Sequence, residues 1–168
     1  GMINIKEKLR RQEFTAGSWI TLGHSAIAEI MSRSGFDWLT VDMEHSVISL
    51  HQAQELIRTI ELCGVVPLVR VGENNPNLIK RVMDAGAHGV IVPMVNSHAE
   101  AKAAVSAVKY PPVGSRGVGL ARAQKYGFGF TEYKTWVENE SVVIVQIEHI
   151  KAIENLEAIL GTSGVDGS

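Results

Sequence analysis

The stretch FDWLTVDMEHS, Phe36 to Ser46, is an apolar run that stops at three ionisable residues, Asp42, Glu44 and His45, within four positions. Phe36, Trp38, Leu39 and Val41 read as a buried strand, because parallel strands covered on both faces are almost continuously hydrophobic. In α/β folds the ligand crevice lies outside the carboxyl ends of such strands, so the three groups would share one pocket mouth, where they can move protons or hold cations. The plainer alternative is a loop whose aspartate caps the next helix.

Other apolar runs end in the same way. The candidate groups at strand ends are His24, then Asp42, Glu44 and His45, then Arg70, then Gln146 and Glu148. A guanidinium closing the run VVPLVRV is costly to bury without an anionic partner, so Arg70 needs a carboxylate, an enolate or a neighbouring acid; a structural salt bridge would serve equally. Glu148 closes VVIVQIE, where one carboxylate beside Gln146 suits a hard divalent cation such as Mg²⁺ or Mn²⁺. Neither the lone Cys63 nor any histidine pair has the spacing of a closed zinc site.

Asp84 stands near the carboxyl end of a helix, in MDAGA, where the helix dipole disfavours negative charge. A compensating group is expected, with a histidine as one candidate and solvent exposure as the alternative. The loop VGSRGVGLARA sets Arg116 and Arg122 among glycines, a setting able to hold an anion or to form a plain turn with surface arginines.

These groups need a scaffold, and the chain alternates strand and helix. Ser18–Gly23, Phe36–Val41, Val65–Val71, Gly89–Val95 and Ser141–Glu148 read as strands. The segments beginning at His24, His51, Asn75 and Ser97, and KAIENLEAIL, read as helices. Pro111 to Glu140, with glycines at 114, 117, 119, 127 and 129, reads as a long functional loop with short helices and one uncertain strand near Gly117. Alternation without reversal favours a (β/α) barrel over an open doubly wound sheet. The expectation is a single incomplete barrel domain over residues 1–168, ending as another strand begins at Gly164–Val165–Asp166.

Composition narrows the function classes. The 168 residues are 45% hydrophobic and 20% charged with a formal net charge of −2, which gives no general drive toward nucleic acid or anionic membranes. One cysteine excludes an intrachain disulfide framework and fits a reducing cytoplasm. The amino terminus is too charged for a signal-peptide core, and no apolar run approaches a membrane span. Gly1 before Met2 reads as a cloning remnant.

Taken together, GSWITLG, FDWLTVDMEH, PLVRV, MDAGAHGVIVPMV, YPPVGSRGVG and VQIEH resemble the HpcH/HpaI family of class II, metal-dependent 2-oxo acid aldolases. The resemblance implies an α/β fold, a (β/α)₈ TIM barrel of which this chain supplies roughly the first six βα units. It implies reversible cleavage of 4-hydroxy-2-oxo acids to pyruvate and an aldehyde, by a cytoplasmic homo-oligomer, commonly a hexamer. On matching positions His45 would be the catalytic base with Asp84 as its partner. Arg70 would contact the pyruvyl oxygen, Gln146 would line the pyruvate pocket and Glu148 would ligate the metal, with Asp42 and Glu44 around it. Mg²⁺ or Mn²⁺ is expected, with Co²⁺ or Zn²⁺ as further options. The second metal carboxylate belongs to a glycine-proline-x-aspartate-leucine motif after the VDG segment, and only Ser168 follows that segment here. Asp166 is therefore not assigned as a ligand, and the 168 residues alone are expected to lack activity. His149 stands where relatives often carry a small hydroxyl residue. Two other readings keep the fold: an acyl-CoA or citrate-type lyase or condensing enzyme, and a catalytically inert short form acting as a binding module.

Overall fold

The computed structural model describes residues 2–168; Gly1 lies outside them. Five parallel strands, β1 (Gly17–Ile20), β2 (Trp38–Asp42), β3 (Val66–Arg70), β4 (Gly89–Val92) and β5 (Val142–Val145), form one sheet in sequential order. A doubly wound sheet would reverse its order at a switch point, whereas uninterrupted sequential order is the course of a barrel wall. A sixth strand is limited to one parallel bridge, Ile144 to Gly167. The uncertain strand near Gly117 is absent: residues 111–120 form turn and coil, because Arg116 is drawn inward, away from any ladder.

The helices start where their caps dictate. α2 (Ser25–Ser32) is capped by His24, α3 (Leu50–Leu62) by a Ser49–Gln52 capping box, α4 (Pro76–Asp84) by Asn75 with proline in the first turn, and α5 (His98–Val108) by Ser97. A short α1 (Ile5–Arg10) precedes the sheet; α6 (Phe130–Glu140), α7 (Ile150–Glu154) and α8 (Leu156–Leu160) follow α5.

Strand alternation sorts the side chains into two layers. Leu39, Val41, Val69, Val90, Val92, Val143 and Val145 face the helices in the larger core. Val66, Leu68 and Val142 face the other way, into a smaller cluster that Ile5 of α1 enters from below and that Trp38 and Ile144 complete. The register lines up Asp42, Arg70, Ile91 and Ile144 as one row on this inner face. The topmost charged pair of the sheet is thus fixed by strand pairing.

Lys109 ends α5 and is 4% exposed. Its ammonium donates to the Val137 carbonyl at 2.6 Å and the Ser141 hydroxyl at 2.6 Å, closing the end of α6. Burial, with Lys6 nearby, pushes its pKa down to about 8. In the unfolded chain a lysine keeps its proton to about pH 10.4, so between these values the unfolded state binds more protons and stability rises with pH. Urea denaturation at pH 8 and pH 10 should show the protein gaining stability relative to Lys109→Met; equal shifts in both would refute the buried-ammonium account.

Candidate active site

Asp42 ends β2 and Arg70 ends β3, directly opposite one another in register. Arg70 Nε donates to Asp42 Oδ1 at 3.1 Å and Nη2 to Oδ2 at 2.5 Å, a two-point fork that lysine cannot reproduce. Asp42 Oδ1 also accepts the backbone N–H groups of Glu44 at 3.0 Å and His45 at 3.1 Å. This carboxylate therefore folds the loop after β2 over itself. Burial pushes the Asp42 carboxyl up, but the Arg70 hydrogen bond and the two amides outweigh it and hold the pKa below the usual carboxylate range. Asp42 in turn raises the Arg70 pKa.

The folded loop brings Glu44 and His45 to the same mouth. Glu44 Oε1 lies 3.6 Å from Arg70 Nε and 3.2 Å from His45 Nε2. The His45 side chain is 68% exposed, open to whatever enters. Across the sheet, Glu148 follows β5 and its Oε1 accepts the Met94 N–H at 2.9 Å. Met94, just past β4, takes a left-handed φ of 53°, a costly conformation for a side chain of its size. Glu148 is close enough to contribute to raising the Arg70 pKa. Gln146 lies between the β5 ladder and Glu148, and its side-chain Oε1 is buried with no hydrogen-bond partner among the described residues. Asp42, Glu44, His45, Arg70, Gln146 and Glu148 thus all stand at the carboxyl end of one sheet.

Asp84 does not join them. It closes α4 before β4 begins, at the amino end of the sheet, about 10 Å or more from His45 by the rise of a four-residue strand. Its compensators are cations and an amide, not a histidine. Arg116 Nη2 donates to Oδ1 at 2.6 Å, Gln124 Nε2 to Oδ1 at 3.0 Å and Lys80 Nζ to Oδ2 at 2.7 Å. The expected His45–Asp84 pair is not formed within this chain, because parallel strands put a helix end and a strand end on opposite rims.

The glycine-rich loop belongs to that amino rim as well. Arg116 is wholly buried against Asp84, Tyr110 and Tyr133, and Arg122 donates to Glu61 at 2.7 Å. Both arginines are neutralised by internal carboxylates instead of framing an anion site. Sequence reasoning found these residues but not their partners, which lie 32 and 61 positions away. It missed Trp19, whose ring lies 4.3 Å from the Arg70 guanidinium carbon; an aromatic residue in a strand carries no signal that it faces a charge. His149 and His24 cap α7 and α2, each accepting a backbone N–H at Nδ1 at 3.1 Å. Asp166 pairs with Lys6 at 3.1 Å and accepts the Val143 N–H. It is a structural residue of the amino rim.

A parallel sheet in barrel order, with an ion-paired arginine and scattered acids at its carboxyl rim, defines an α/β barrel-type protein with a polar site at the strand ends. The chain belongs to the HpcH/HpaI aldolase/citrate lyase family, whose model matches residues 15–168. It is 42% identical to a 2-dehydro-3,6-dideoxy-6-sulfogluconate aldolase of Pseudomonas putida over 94% of this chain and 62% of that one. It is 40% identical to a 2-keto-3-deoxy-L-rhamnonate aldolase of Klebsiella pneumoniae over 96% of this chain and 61% of that one. A crystal structure of an HpcH/HpaI aldolase/citrate lyase family protein from Burkholderia cenocepacia superposes with a TM-score of 0.89 at 32% identity, covering 96% of this chain and 65% of that one. The chain thus spans about three fifths of the length of the curated relatives it matches. Among the described residues no helix is long and apolar enough to cross a membrane.

Removing one partner of a buried ion pair strands the other charge, at about 3–5 kcal/mol. Arg116→Met should destabilise the protein by that amount in urea denaturation, while the more exposed Arg33→Met, at a surface pair, should change it by less than about 1 kcal/mol. Equal effects would mean that the Asp84–Arg116 cluster does not anchor the loop.

Proposed function

We propose that the protein is a metal-dependent class II aldolase that cleaves a 4-hydroxy-2-oxo acid to pyruvate and an aldehyde and joins them in reverse. The observation that carries this reading is Arg70. Asp42 holds its Nε and Nη2, and Nη1 has no hydrogen-bond partner among the described residues. A fixed guanidinium with one free donor at a strand end is suited to an oxygen that gains negative charge. The relatives named above, both aldolases, point to the same chemistry.

The donors nearby suit a hard cation and fall short of a full site. Among the described residues Glu148 has one carboxylate oxygen on Met94 and the other without a hydrogen bond, and the orphaned Gln146 Oε1 is a neutral oxygen near it in sequence. Among the described residues no cluster of three His, Cys, Asp or Glu could hold a metal alone. Mg²⁺ and Mn²⁺ commonly keep several waters and one or two carboxylates, so Glu148 is the residue assigned to hold such an ion. Bound there, the ion would act as a Lewis acid toward the substrate's oxo and carboxylate oxygens.

The chain's own groups supply the remaining steps. Breaking the bond between C3 and C4 leaves a pyruvate enolate, whose oxygen Arg70 Nη1 would stabilise by donation. His45 would take the C4 hydroxyl proton, directly or through a water. Its imidazole, 68% exposed and 3.2 Å from Glu44 Oε1 at Nε2, is open to that proton. No strand end among the described residues presents a lysine for a Schiff-base route, and Lys109, whose pKa burial lowers, donates to the end of α6 at the amino rim. Asp42 positions Arg70, and Gln146 lines the pyruvate side. The reading extends to a cytoplasmic homo-oligomer, a hexamer, acting on small molecules without nucleic acid or membrane partners.

Exchange of the pyruvate methyl hydrogens with deuterium oxide, followed by proton NMR in the full-length protein, tests the enolate step. Exchange should require Mg²⁺ or Mn²⁺, stop with a chelator, and slow about 10²-fold in Arg70→Lys, the cost of losing one oxyanion donor. No exchange with any divalent ion would contradict the proposal, as would saturable acyl-CoA or tricarboxylate turnover in its place.

A further inference from the structure

Arg70 touches two carboxylates and one aromatic ring. Its guanidinium carbon lies 4.3 Å from the centroid of the Trp19 ring, within the range of a cation–π contact. Trp19 is on β1, paired in register with Thr40, two residues before Asp42, so its ring reaches one row up the inner face. Trp38 braces it edge-on, with centroids 6.4 Å apart and planes at 89°. Trp38 in turn lies over Gly17, where a Cβ would overlap its ring. A glycine thus makes room for one tryptophan, which supports a second, which supports the arginine.

A ring is useful here because of how the arginine is held. Two parallel N–H···O bonds fix one edge of the guanidinium, but the plane can still rock about the line joining the two Asp42 oxygens with little change in either bond. That rocking swings Nη1, the nitrogen with no hydrogen-bond partner among the described residues. The Trp19 ring, with the guanidinium carbon 4.3 Å from its centroid, blocks the motion on its side, and the attraction of the charge to the π face opposes swinging away. We propose that Trp19 is a positioning residue for Arg70: it fixes the guanidinium plane so that Nη1 is held in one place for a substrate oxygen while Nε and Nη2 stay on Asp42. The catalytic part of this inference rests on the role assigned to Arg70 above; the geometric part does not.

Arginine side-chain ¹⁵N NMR on the protein, with Trp19→Phe and Trp19→Leu, tests both parts. In the unmutated protein the Arg70 Nε–H proton should be shifted by the ring current relative to the exposed Arg33, and rotation about its Nε–Cζ bond should be slow. Trp19→Leu should lose the shift and speed rotation about tenfold, whereas Trp19→Phe keeps most of both. In the pyruvate exchange assay Trp19→Leu should lower kcat about tenfold with a smaller rise in KM, and Trp19→Phe should recover to within about threefold. An unshifted Arg70 signal in the unmutated protein, or an Arg70 signal and rotation rate unchanged in Trp19→Leu, overturns the proposal. If no variant and no unmutated protein exchanges pyruvate hydrogens, the aldolase reading fails while the NMR arm still decides whether Trp19 holds Arg70.

Discussion

The two-point ion pair between Asp42 and Arg70 is the constraint on which the carboxyl rim depends. Asp42 is 2% exposed, so its charge has lost nearly all contact with water. An unpaired buried carboxylate costs several kcal/mol, more than most single contacts return. Four donors offset that cost: two from Arg70 and the backbone amides of Glu44 and His45. Because the same carboxylate binds both partners, satisfying it also sets the turn that delivers Glu44 and His45 and the edge by which Arg70 is held. The register of β2 against β3 makes this possible by placing the two residues opposite one another.

The two rims of the sheet divide the work. At the amino rim Asp84, Glu61 and Asp166 are each matched by internal cations, and the glycine-rich loop is pinned by the buried Arg116. At the carboxyl rim polar atoms remain without hydrogen-bond partners among the described residues: Gln146 Oε1 is buried and orphaned, Glu44 Oε1 has ion-pair neighbours but no well-formed hydrogen bond, and Arg70 Nη1 has none. The amino-rim carboxylates are matched, with the buried Arg116 Nε left unpaired among the described residues. Open polar groups at strand ends are where a barrel meets its ligand.

Much of this was legible in the sequence, for physical reasons that can be named. Apolar runs mark buried parallel strands, and whatever polar group ends such a run falls on the rim, so Asp42, Arg70 and Glu148 could be placed at strand ends without knowing any tertiary contact. The same reasoning showed that Asp84 needed compensation but could not supply the partner. Arg116, Gln124 and Lys80 reach it through a loop whose path depends on glycine turns and on burial, neither of which has a period. A short strand is expected near Gly117 within 111–120, yet the burial of Arg116, directly before that glycine, prevails over a weak ladder. Trp19 was invisible as a site residue since its role arises only when β1 lies beside β2.

The most direct test of the account is a double-mutant cycle across the rim pair, with Asp42→Asn, Arg70→Met and the two combined, each followed by urea denaturation. Coupling of about 2 kcal/mol or more, with the double variant less destabilised than the sum of the singles, is the predicted result. Additive losses, with coupling near zero, would mean that Asp42 and Arg70 do not depend on each other and that the carboxyl rim is organised by something else.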